Sequence, residues 1–441
     1  MNTINLKAAK QEGSFKDSKA VKYFAALIIG LVIGSSKVAD TAMAVLYALF
    51  SLYCLFLALK GDLKTLFKFF PYFVYTEIYV RAFPSFLPNI YADYLFLAIF
   101  ALLLLKQGST FRLYSISFVF IGLYALIEII DTVRTNEPDF ARIHSVNSIN
   151  LFLVTLWASS NILKLSTLNT LLNNFKIASI YLAGIVLAAH LFGHVEYNTG
   201  SSFAASNGLA PVQLSAYLGL GVVLLFLSIV NTLEKEDIFL NLLFFILLLI
   251  LMLLTFSRGG LYFFAVIAVL YMLFNRKNLG SYFIFLILLP IGYIVYYYVV
   301  SATNGLIVDR YEQAGASGRD LLVEVGIKIF LSDPLAGIGT GNFSKEIVAR
   351  HLYEVESGAH NEFIRAAAEH GIIGIITYWG FYLFLFFEIM SRRGVFRQYS
   401  LYFFALFCLI LIHNGLKIVL QPTILILAVV TPAFAVTKKT K

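Results

Sequence analysis

A polar segment, Gly358 to Gly374 (GAHNEFIRAAAEHGIIG), interrupts an apolar chain and gathers side chains suited to moving protons and holding charge. His360 is the candidate base, because imidazole is the side chain best matched to taking a proton near neutral pH; read more plainly, it is one more solvated histidine. Glu362, Arg365 and Glu369 follow at i,i+3 and i,i+4 spacing, so they can pair along one helical face. His370 precedes Gly371 and reads as a cation at a helix C-terminus. Farther back, Ser257-Arg258-Gly259-Gly260 joins two apolar runs and fixes Arg258 at the membrane edge. Either Arg258 reaches for headgroups, or Ser257 caps the next helix and Arg258 forms an anion site with its amides. Arg319, in SGRDLLVEVGIKIF, either pairs with Asp320 or Glu324 or clamps the same anion. Glu77 and Arg81, four apart in an apolar helix, either pair with each other or offer Arg81 to a lipid-linked phosphate. Arg134, Arg142 and His144 are weaker candidates in a polar loop.

These residues must be positioned by membrane helices. Hydrophobic side chains make up 60% of the 441 residues and charged ones 13%, too apolar a balance for an ordinary soluble fold. Apolar runs lie near 22–36, 41–59, 66–83, 90–105, 112–133, 149–163, 174–195, 211–232, 238–256, 260–274, 281–300, 371–390, 399–418 and 419–437. That is about fourteen candidate spans at about 20 residues per crossing. The expectation is an all-α polytopic membrane protein of about 12–14 transmembrane helices with one large external loop, and the alternating strands of a barrel are missing.

The net charge of +8 is spread over short loops rather than one basic face, which argues for membrane topology and against nucleic acid. With the N-terminal tail inside, alternate loops carry Lys60, Lys64 and Lys68, then Lys106 and Arg112, Lys164 and Lys176, Lys235, Arg276 and Lys277, and Arg392, Arg393 and Arg397 on the cytoplasmic side. Pro84 to Asn89, Arg134 to Ser148, Glu196 to Ala210, the SRGG turn and Ser301 to His370 then lie outside. The expected division is a cytoplasmic tail (1–21), a transmembrane region (22–300), a large external loop (301–370) and C-terminal membrane helices with a short cytoplasmic tail (371–441). Within the loop, Leu321, Leu322, Val325, Ile329 and Phe330 recur at helical spacing and predict an amphipathic helix. Cys54 and Cys408 sit in apolar runs and suggest neither a disulfide nor a metal site. Phosphate-binding glycine loops, nucleophile elbows and acidic or histidine-rich metal motifs are missing from the sequence, so no cofactor or metal is expected.

The turn TFSRGG, the segment GRDLLVEVGIKIFLSDPLAGIGTGNF and the ordered pair His360-Asn361, nine residues, Gly371-Ile372-Ile373-Gly374 resemble the bacterial O-antigen ligase family. That family shares its domain with O-antigen and exopolysaccharide polymerases, and the likeness spans roughly residues 195 to 390. It implies a metal-independent, inverting glycosyltransferase of GT-C-like architecture in the inner membrane, with its active site facing the periplasm. The implied donor is a glycan on undecaprenyl diphosphate, and the acceptor is the lipid A core or, in a polymerase, a second lipid-linked glycan. The resemblance makes His360 the catalytic residue and Arg258 and Arg319 the diphosphate ligands; Arg81 enters only from its place in an apolar helix, as a further substrate contact. Ser257, Asn361, Glu362, Gly371 and Gly374 would support them, Glu362 by orienting the imidazole. A transporter of lipid-linked glycans is the alternative of another class, although repeated halves and helices broken near the midplane would mark one.

Overall fold

The computed structural model describes residues 18–36, 39–82, 90–107, 115–193, 195–200, 202–231, 235–313, 318–413 and 418–432. The expected external segment 84–89, Arg112 and the two termini lie outside them. The described residues fold into helices. Eleven run from the N-terminal side to the large loop: α1 (Lys19–Gly34), α2 (Ala39–Lys60), α3 (Leu63–Ala82), α4 (Tyr91–Gln107), α5 (Ser117–Asp131), α6 (Pro138–Ser160), α7 (Leu165–Phe192), α8 (Pro211–Asn231), α9 (Lys235–Leu254), α10 (Gly259–Phe274) and α11 (Leu279–Ala302). The loop itself holds α12 (Leu306–Gln313), α13 (Arg319–Ser332) and α14 (Phe343–Ala349). After it come α15 (Glu362–Gly374), which continues through a π turn into α16 (Gly380–Met390), then α17 (Gly394–His413) and α18 (Leu420–Val429). A two-residue parallel ladder pairs Ile162–Leu163 with Thr431–Pro432.

Each expected apolar run has a helix on it. Seven of the described helices are long and apolar enough to cross a membrane, so the chain is an all-α polytopic membrane protein. Its large exposed side chains follow from this: α11 presents Phe283, Leu286, Ile287, Leu289, Tyr293 and Ile294 outward, as a helix bordering lipid does. At the centre stand α7 and α8, with α1 and α3 packed on α7, and α9 and α10 on α8. Beside them, Phe70, Phe96, Phe100 and Trp157 tie α3, α4 and α6 together, with Phe96 and Phe100 stacked at 4.7 Å and Phe100 edge-on to Trp157 at 5.4 Å.

One close approach matters for the site. A Cβ on Gly260 at the start of α10 would fall 2.2 Å from the carbonyl oxygen of Ser215 in α8, so only glycine lets these helices touch there.

The described parts of the large loop pack as a layer. Leu322, Val325 and Ile329 of α13 pack with Phe343 and Ile347 of α14 and with Ala359 and Ala368 in a small core of their own. The amphipathic helix is therefore present, but Leu321, expected on its apolar face, is exposed, because the buried stripe runs through 322, 325, 326 and 329.

Candidate functional site

The SRGG turn is built by backbone demand. Phe256 takes a left-handed conformation (φ 60°), rare for an aromatic residue, with its ring buried and stacked on Tyr197 at 5.6 Å. Ser215 of α8 then holds both sides of the turn: its hydroxyl donates to the Ser257 carbonyl (3.1 Å) and accepts from the Gly260 amide (3.0 Å). This corrects the expectation that Ser257 caps α10. The N-cap position falls on Arg258, whose side chain makes no cap bond, and the orphan amide is met by Ser215 across the helix interface.

Held there, Arg258 reaches α12. Its Nη2 donates to the carbonyl of Arg310 (2.7 Å), and its guanidinium lies 5.3 Å over the Tyr311 ring. Arg319, the first residue of α13, extends to the C-terminal end of α17, where Nη1 lies 2.7 Å from Nε2 and 3.1 Å from Nδ1 of His413. Arginine only donates, so the imidazole meets it through an acceptor nitrogen. Tyr262 packs edge-on against the same imidazole at 4.7 Å.

These residues line a cleft of about 430 Å³ that contains Ser257, Arg258, Tyr262, Arg310, Arg319 and Asn361. Three guanidiniums in one cleft set the electrostatics. Among the described residues no carboxylate pairs with Arg310 or Arg319, although Asp320 lies in the wall. Burial pulls the proton affinity of Arg319 below the ordinary guanidinium range, with Arg258 and Arg310 adding repulsion against the opposing Tyr262. Arg310 is lowered by burial and then by Arg258, and its Nε is buried with no hydrogen-bond partner among the described residues. Guanidiniums stay charged at neutral pH regardless, so the outcome is a standing positive potential. An anion relieves it.

His360 and Asn361 form the rim. His360 is exposed and left-handed (φ 50°), a strained conformation immediately before a helix. Asn361 is the N-cap of α15, and its Oδ1 accepts from the amides of Phe363 (3.0 Å) and Ile364 (3.3 Å). The cap fixes where His360 leaves the helix, beside the cleft and within electrostatic range of His413.

Below the rim the polar face of α15 turns inward. Arg365 donates through Nε to Glu362 (2.8 Å), through Nη1 to Glu369, and through Nη2 to Glu128 (2.8 Å) and the Tyr124 hydroxyl (3.1 Å). Glu362 thus pairs with Arg365, and the pairing expected along this face is present. His370 differs from its expected role: it is buried, its Nδ1 bonds Asp131 (2.8 Å), and its Nε2 lies 3.6 Å from Glu128. Ligand atoms of Glu128, Glu369 and His370 lie within 4.8 Å of one another, but Arg365 occupies an oxygen of each carboxylate, so this is an ion-pair network before it is a metal site.

Helix α15 breaks at Gly371 (φ 60°, ψ −146°), where a Cβ would meet the Leu335 and Pro334 backbone at 2.6 Å. The backbone groups released by the break pair with the PLAGIG loop: Ile338 N with Ala368 O (3.1 Å), Gly339 N with Glu369 O (2.8 Å), and Ile372 N with Pro334 O (2.8 Å). Gly374 lets the next turn close, since a Cβ there would lie 2.2 Å from the Ala366 oxygen. Arg134 clamps the loop from the other side through the Gly337 carbonyl (2.8 Å).

The structure thus brings Arg258, Arg319, Ser257 and Asn361 into one cleft with His360 at its edge. Arg81 is elsewhere: it pairs with Glu77 and with Asp93 (2.6 Å), and Glu77 in turn accepts from the Tyr217 hydroxyl (2.7 Å). Among the outer-loop candidates, Arg142 is exposed beside Asp139 (3.6 Å) and His144 is buried. Arg310 and His413 escaped the sequence reading. An ionisable residue inside an apolar run was the available signal for His413; for Arg310 it was a basic residue just past a span.

Residues 243–379 match the family model described as O-antigen ligase. That interval contains Arg258, Arg310, Arg319, His360 and Gly371, and it leaves out Arg81 and His413. The search of curated proteins finds no match to the chain.

Proposed function

From the premise that residues 243–379 form an O-antigen ligase family domain in a multi-pass bacterial membrane protein, we propose that the chain transfers a glycan from undecaprenyl diphosphate to an acceptor hydroxyl at the periplasmic face of the inner membrane. The family supports glycosyl transfer with lipid-linked glycans in general. The observation that carries the finer reading is the convergence of Arg258, Arg310 and Arg319 in one cleft beside His360, with no carboxylate paired to Arg310 or Arg319 among the described residues.

The mechanism follows from that layout. Diphosphate is already a good leaving group, so the enzyme must position the acceptor and hold the charge that develops as the anomeric C–O bond breaks. The three arginines receive the diphosphate as forks matched to its oxygens. The acceptor oxygen attacks the anomeric carbon from the opposite side and its proton passes to His360, which inverts that centre and releases undecaprenyl diphosphate. All the groups used are side chains of this chain. Glu362 accepts from Arg365 and opens α15 two residues after His360, and the Asn361 cap fixes that helix start beside the cleft.

The test is reconstitution in liposomes with lipid-linked glycan and either lipid A core or a second lipid-linked glycan as acceptor. A lipid A core product makes the protein a ligase, and a lengthened lipid-linked glycan makes it a polymerase. In both assays His360→Ala is expected to insert and fold normally but form no product. Wild-type transfer by that variant would overturn the catalytic role of His360.

A further inference from the structure

A second polar cavity lies at the other end of the same helices. It measures about 390 Å³ and is lined by Asn169, Asn173 and Lys176 of α7, Ser228 and Asn231 of α8, and Tyr399 of α17, with an apolar side that includes Leu172, Leu224 and Phe403. Val212 of α8 lines the arginine cleft and Asn231 lines this cavity. At 1.5 Å per residue they stand about 28 Å apart along the helix, one hydrocarbon thickness. The two cavities therefore open on opposite membrane faces.

Lys176 is the unusual group. It is buried, and its Nζ has the Ser228 hydroxyl at 3.1 Å as its hydrogen-bond partner among the described residues. Asp237, whose field reaches it, pairs with Lys19 at 3.1 Å. Among the described residues no carboxylate lines the cavity. An ammonium at this depth is costly unless a partner or a wet cavity meets it. Around it stand donors with free capacity: the Asn169 and Asn173 amides, on the same face of α7 as Lys176, make no hydrogen bond among the described residues, and Asn231 already bonds the Tyr399 hydroxyl (2.9 Å).

We propose that this cavity is a binding site for a phosphate-bearing anion on the face opposite the arginine cleft, with Lys176 as its charge partner and Asn169, Asn173 and Tyr399 as its hydrogen-bonding wall. The leucine and Phe403 side of the cavity suits the glycerol and first methylenes of an anionic phospholipid, and a free phosphate offers the same head chemistry. Transfer at the arginine cleft does not require this site, so its failure leaves the proposed reaction untouched.

The experiment uses the full chain purified in neutral detergent and titrated with phosphatidylglycerol, phosphatidylcholine or inorganic phosphate, with thermal unfolding as the readout. A ligand of the folded state raises the unfolding temperature in a saturable way. Phosphatidylglycerol is expected to stabilise the wild type, with the midpoint of that titration about tenfold higher in Lys176→Met and close to wild type in Lys176→Arg, the loss of one charge-assisted contact. Asn173→Leu, which keeps the ammonium, should also weaken binding. Displacement of the lipid effect by inorganic phosphate assigns the site to a soluble phosphate, and its failure to displace assigns a lipid headgroup. The same phosphatidylglycerol midpoint in wild type and Lys176→Met, both folded without lipid, would overturn the proposal.

Discussion

Arg365 should prove a keystone of the fold rather than a participant in the reaction. Its guanidinium is 3% exposed and serves Glu128, Glu362, Glu369 and the Tyr124 hydroxyl, so one side chain offsets three buried carboxylates from α5 and α15. Arg365→Met keeps much of the volume but leaves those carboxylates facing one another. Removing one partner of a buried ion pair costs about 3–5 kcal/mol, and the upper end fits a cation that meets three anions. Chemical unfolding in micelles should register that loss, and transfer should fall only as far as the folded fraction does. Adding Glu128→Gln to Arg365→Met removes one orphaned charge and should return part of the stability, a coupling that a double-mutant cycle isolates. Stability of Arg365→Met within about 0.5 kcal/mol of wild type, the range of an inert surface change, would refute the reasoning.

Two further substitutions probe how the site is held. Ser215→Ala removes the hydroxyl that caps α10 and holds the Ser257 carbonyl, so it should cost about 1 kcal/mol and weaken donor binding, read by unfolding and by lipid titration. Gly371→Ala forces a side chain into a glycine-only conformation and against the Pro334 and Leu335 backbone, so a loss of about 3 kcal/mol and faster proteolysis of the PLAGIG loop are expected.

Much of this architecture is legible in the sequence because lipid imposes long apolar helices, and fourteen runs can be marked before any coordinates are known. Local spacing was equally reliable: Glu362, Arg365 and Glu369 pair along α15 as their intervals imply. What spacing cannot supply is the partner across an interface. Glu128 and Asp131 join the Arg365–His370 network from α5, far away in the chain, which turns His370 from a helix-end cation into a buried, bonded group. For the same reason the cap expected from Ser257 comes from Ser215, and Arg81 is taken by Asp93 of α4 as well as by Glu77. Arg258 was identifiable as a membrane-edge arginine and Arg319 as the residue that opens the amphipathic helix, whereas their meeting with Arg310 and His413 depends on how α10, α12, α13 and α17 converge.

The central claim is that the cleft of Arg258, Arg310 and Arg319 is the seat of the donor's diphosphate. Its most direct test is equilibrium binding of undecaprenyl diphosphate to the purified protein, comparing wild type, His360→Ala and the double variant Arg258→Ala/Arg319→Ala. Each charge-assisted phosphate contact is worth about 1.5–3 kcal/mol, so the double variant should bind at least about a hundredfold more weakly while His360→Ala binds like wild type. Equal affinity in the double variant and the wild type would contradict the account.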